Sequence, residues 1–80
     1  MVKDTVGWVY YHADNLAEAT RILGEAVSAN PDINVFNYHL GMAYFKSGNK
    51  QEAKKYLEKS VSTDTVFSGR DVAQKTLKSL

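Results

Sequence analysis

The sequence predicts an all-α fold, an α-solenoid fragment of two helical hairpins followed by a C-terminal capping helix. Three observations carry this prediction: a 34-residue internal period, helical spacing of the apolar residues within it, and few helix breakers, with one proline and five glycines in 80 residues. Sliding the chain by 34 residues aligns 1–33 with 35–67 and makes eight pairs identical: Gly7/Gly41, Tyr10/Tyr44, Asn15/Asn49, Glu18/Glu52, Ala19/Ala53, Leu23/Leu57, Val27/Val61 and Ser28/Ser62. Average composition would give about two such pairs by chance. A period of this length is the mark of a stacked repeat.

Each unit reads as two helices, A and B, around a tight turn. Helix A of the first unit is predicted over about 3–13 and that of the second over about 34–47; helix B follows over about 16–29 and 50–62. The turns are His12-Ala13-Asp14-Asn15 and Lys46-Ser47-Gly48-Asn49. Gly48, and Asp14 in its place, suit a left-handed residue that closes a helix. Asn15 and Asn49 then read as N-caps, each with a glutamate three residues on, close to a capping box. Helix B of the first unit is apolar at Leu16, Ala19, Ile22, Leu23, Ala26 and Val27, and that of the second at Ala53, Tyr56, Leu57 and Val61, all at helical spacing. Pro31 stops the first unit. A last helix is expected from Ser68, capped with Asp71, with Val72, Ala73, Thr76, Leu77 and Leu80 as its apolar face. The predicted division is therefore 1–33, 34–67 and a capping segment 68–80. Gly7 and Gly41 are expected to let helices A and B approach across Ala19 and Ala53. Val6, Val9, Tyr10, Leu40, Ala43 and Tyr44 are expected in the core.

Composition excludes more than it assigns. Ten basic and nine acidic residues are interleaved for a net charge of +1, which gives no strong field toward nucleic acid or an anionic membrane. No apolar run approaches the ~18 residues of a membrane span. The absence of cysteine removes disulfides and thiolate metal sites; it suits a reducing compartment and equally allows the periplasm. His12 and His39 read as surface or turn residues and not as ligands, since no pair of acidic residues converges on either at a ligand spacing. No serine has a triad context and the glycines form no phosphate loop. The sequence therefore predicts no enzyme, no cofactor and no metal. The run from Lys50 to Lys59 reads as a solvated helix face.

Val6-Gly7-x-x-Tyr10 with Ala19-x-x-x-Leu23, Ala26 and Pro31, and again Leu40-Gly41-x-x-Tyr44 with Ala53-x-x-x-Leu57 and Ser60, resemble the tetratricopeptide repeat at its 34-residue spacing. The family's tryptophan is replaced by Lys3 and Asn37, and the closing proline of the second unit by Thr65. Asp4-Thr5-Val6-Gly7-Trp8, Tyr38-His39-Leu40-Gly41 and the short last helix resemble the C-terminal end of long bacterial repeat proteins, some of which accompany exosortase or polysaccharide-export systems. Two and a half units are fewer than the three or so such stacks need, which suggests that Met1 cuts into a longer array.

The resemblance implies a protein-binding module whose A helices line a concave groove. It places Asp4, Trp8, Tyr11 and His12 of the first unit, and Val35, Tyr38, Met42, Phe45 and Lys46 of the second, on that wall. Such an apolar wall marks a binding surface or a covered contact. Two occupants stay open: a peptide or helix with apolar anchors, or the capping helix, a preceding repeat or a second copy of the chain. The lysine-rich carboxylate clamp of chaperone-binding relatives is absent; Asp4, Trp8, Tyr38, His39 and Met42 stand there, which disfavours a ligand with an acidic terminus.

Overall fold

The computed structural model describes residues 3–80. It consists of five helices among those residues: α1 (Lys3–His12), α2 (Leu16–Ala29), α3 (Asn34–Lys46), α4 (Lys50–Ser60) and α5 (Arg70–Ser79). Hairpins α1–α2 and α3–α4 form the closest pairings; α3 packs back on α2, and α5 closes over α4 and α3. Val2, beside the N-terminus, lies outside the described residues.

The turns follow their local chemistry. Asp14 has φ 64° and Gly48 φ 90°. The amides of Asp14 and Asn15 donate to the carbonyls of Tyr11 and Tyr10, and those of Gly48 and Asn49 to Phe45 and Tyr44, the paired closure of a Schellman motif in both units. Asn15 and Asn49 at once open the next helix, accepting from the amides of Glu18 and Glu52 at 3.4 and 3.3 Å. The glutamate half of the box is not formed: the Asn15 amide is already taken by Tyr10, and the Glu18 carboxylate bonds Arg21 instead.

Two apolar clusters form the core. Ala19, Leu23, Val27, Leu40 and Ala43 join α2 to α3, and Tyr38, Met42, Ala53, Leu57 and Ala73 join α3, α4 and α5. Gly7 and Gly41 do seat helix B closely, and the atoms nearest to each are those of Leu23 and Leu57. A Cβ on Gly7 would stand 2.6 Å from Leu23 Cγ, and one on Gly41 2.7 Å from Leu57 Cγ. Val9, expected in the core, is 64% exposed, whereas its repeat partner Ala43 is fully buried. The difference is positional: α2 covers α3, and nothing among the described residues covers the corresponding face of α1.

Asn37, at the position of the family's tryptophan, is buried and ties down the link between hairpins. Its Nδ2 donates to the carbonyls of Pro31 and Ile33 at 2.9 and 3.2 Å. The capping helix starts differently from the expectation: Gly69 and not Ser68 precedes it, at φ 99° and without a side-chain cap bond. Its missing Cβ leaves room for the Tyr38 ring. Gly24 is the opposite case, a mid-helix glycine with nothing within 4 Å of where a Cβ would stand. Gly24→Ala is therefore expected to stabilise the fold by about 0.5–1 kcal/mol, because it restricts the unfolded chain and meets no clash. A urea melt with unchanged midpoint would refute this.

Candidate functional site: the inner wall of the A helices

Asp4, Trp8 and Tyr11 are spaced so that one stripe of α1 carries all three toward α3. Both carboxylate oxygens of Asp4 lie 2.8 Å from Nδ1 of His39, and both residues are buried. An ionised carboxylate offers only acceptors, so Nδ1 carries the proton and donates it. The bond compensates two polar groups that would be costly to bury alone. The indole of Trp8 lies over the His39 ring, with centroids 3.9 Å apart and planes at 18°. It also stacks on Tyr11 at 4.3 Å and 7°, while His12 meets it edge-on at 4.8 Å. Lys46 Nζ sits 4.7 Å above the centroid of the Tyr11 ring and 2.9 Å from Asp14 Oδ1. The hydrogen bond that Lys46 donates to the Asp14 carboxylate holds its ammonium above its ordinary pKa.

At the other end of the wall Tyr38 is closed in, by Trp8 and by Phe67, each with its ring centroid 5.7 Å away. Burial raises the Tyr38 phenol above its usual pKa.

The nine residues expected on this wall thus separate. His12 and Lys46 are exposed, and Trp8, Tyr11, Val35 and Phe45 are half-buried. Asp4, Tyr38 and Met42 are buried and do not stand free, which corrects their placement on an open wall. Asp4 is spent on His39, while Tyr38 and Met42 share the second core cluster with Ala73 of the capping helix. His39 is corrected in turn: it is no surface histidine but the centre of the stacked wall. The signal was in the numbering. Asp4 and His39 are 35 residues apart, one period and one position, which sets each helix A beside the next. Among the described residues no three His, Cys, Asp or Glu side chains gather as a metal site, and no helix is long and apolar enough to cross a membrane.

Residues 36–65, which take in most of α3 and all of α4, match the family model described as tetratricopeptide repeat. Neither the curated proteins nor the solved structures contain a match to this chain. With the five-helix all-α architecture and the paired hairpins, that match shows a tetratricopeptide repeat over residues 36–65, a repeat type typically non-catalytic and used for protein–protein interaction.

Proposed function

We propose that the chain consists of two repeat units, 1–33 and 34–67, with a capping segment 68–80, and that it holds a peptide or helix with apolar anchors along the inner wall. The supporting observation is the stacked series Tyr11–Trp8–His39, held flat from below by the buried Asp4 bond. A ring fixed in this way loses little freedom when a ligand lies on it, and aromatic anchors carry much of the energy at such surfaces. The part of the wall that remains open is Trp8, Tyr11, His12, Val35, Phe45 and Lys46. Asp4, Tyr38 and Met42 support it from beneath.

The test is selection from a displayed random-peptide library, run against the wild type and against Trp8→Ala and His12→Ala. Helicity of each variant is checked by circular dichroism. The expected result is enrichment of peptides with spaced aromatic or aliphatic residues, weakened roughly tenfold or more by Trp8→Ala. Enrichment that ignores both substitutions would sink the reading. Self-association abolished by Trp8→Ala, with no peptide enriched, would support the alternative, a self-assembly module that uses this same wall.

A further inference from the structure

The stack on the inner wall has a definite order. His39, Trp8 and Tyr11 follow one another with centroid separations of 3.9 and 4.3 Å and nearly parallel planes. Two rings cannot both lie that close over one face of the indole, so His39 covers one face of Trp8 and Tyr11 the other. A ligand therefore meets Trp8 only at its edge. His39 is buried, which leaves the far face of Tyr11 as the ring face of the column turned to solvent. The Lys46 ammonium sits over it, 4.7 Å from the centroid and 2.9 Å from Asp14 Oδ1.

A cation between an aromatic face and a carboxylate is attracted by both. Lys46 holds that place loosely. Its side chain is 40% exposed and that of Asp14 74%, and ion pairs so open to water contribute little to a fold. Asp14 is fixed through its backbone, at φ 64° with its amide bonded to the Tyr11 carbonyl, so its carboxylate remains near the ring when the lysine leaves.

We propose that this place between Tyr11 and Asp14 takes a basic side chain of the bound partner, arginine above lysine, and that Lys46 is the stand-in it displaces. The inference rests on the reading of the wall as a ligand surface and names what the ligand carries beside its apolar anchors. A guanidinium is flat, lies along the ring and forks onto both carboxylate oxygens, whereas an ammonium offers a point charge. The displaced Lys46 stays close enough to repel the newcomer, so it sets the affinity lower than the site alone would give.

Amide chemical shifts of the isotope-labelled full chain test this during titration with N-acetylarginine amide. The lysine derivative and the uncharged citrulline derivative serve as comparisons. The expected result is a saturable shift at Tyr11, Asp14 and Lys46, weaker with the lysine derivative and absent with citrulline. Lys46→Ala is expected to tighten binding about two- to fivefold, the worth of an exposed ion pair. Asp14→Asn is expected to abolish it with circular dichroism unchanged, since asparagine also adopts the left-handed backbone. An equal response to citrulline, a response that survives Asp14→Asn, or no tightening in Lys46→Ala would overturn the proposal. Apolar peptides enriched by the wall while the arginine derivative leaves these amides unmoved would overturn it too, with the wall reading left standing. The arginine derivative bound as expected while no peptide is enriched would support the site and sink only the wider reading.

Discussion

Gly41→Leu is expected to abolish cooperative folding. A Cβ at position 41 already stands 2.7 Å from Leu57 Cγ, 2.8 Å from its Cδ2 and 3.1 Å from its backbone nitrogen, so α4 would have to move as a body to admit a branched side chain. The α3–α4 pairing is the most extensive in the chain. Overpacking of this kind typically costs about 1–3 kcal/mol, occasionally more. A fold of this size has only a few kcal/mol in total, so the loss is expected to leave little native chain at 25 °C. The far-UV signal should fall and the thermal transition disappear. A melting curve like that of the wild type would mean that α3 and α4 do not meet at Leu57.

Gly69→Ala is expected to act elsewhere, releasing α5 while the two hairpins persist. Two penalties coincide there. The backbone sits at φ 99°, where a side chain is strained, and the new methyl would stand 2.5 Å from Cε2 and Cζ of Tyr38, a ring held between Trp8 and Phe67. The measurement is amide hydrogen exchange. Protection should vanish at Ala73 and Thr76 of α5, both buried in the wild type, and persist at Leu23 and Leu40. Tyr38 and Met42 would then be uncovered. Full protection of α5 in this variant would show that Gly69 does not govern its docking.

What could be read in the sequence is what depends on neighbours along the chain. Asp14 and Gly48 announce a left-handed closure, and Asn15 and Asn49 a cap, within five residues of the groups they bond. The apolar spacing of α2 and α4 needs only the helical period. The misreadings all involve partners in another helix. Leu57 supplies the atoms nearest to Gly41, one helical turn beyond the expected Ala53, a choice between successive turns that spacing alone does not make. Ser68 has the chemistry of an N-cap, yet Gly69 takes the place because Tyr38 lies against it. Tyr38 and Met42 look like wall residues in their own unit and become core once α5 arrives. Val9 repeats a core position, but its unit has no neighbour on that side among the described residues.

The Asp4–His39 bond fixes the order in which units can follow one another. Position 39 corresponds to Thr5 in the first unit, and position 4 to Tyr38 in the second. A gene duplication that placed the first unit behind itself would set the Asp4 carboxylate against a threonine, leaving a buried acid without its imidazole, which is a severe fault. The second junction has a different key: Tyr38 shares its cluster with Ala73, which stands where His39 stood one period earlier. A carboxylate calls for a histidine next, and a tyrosine calls for an alanine. The units are alike in backbone yet cannot be shuffled, so an array containing them could grow by recombination only where both halves of a junction are inherited together.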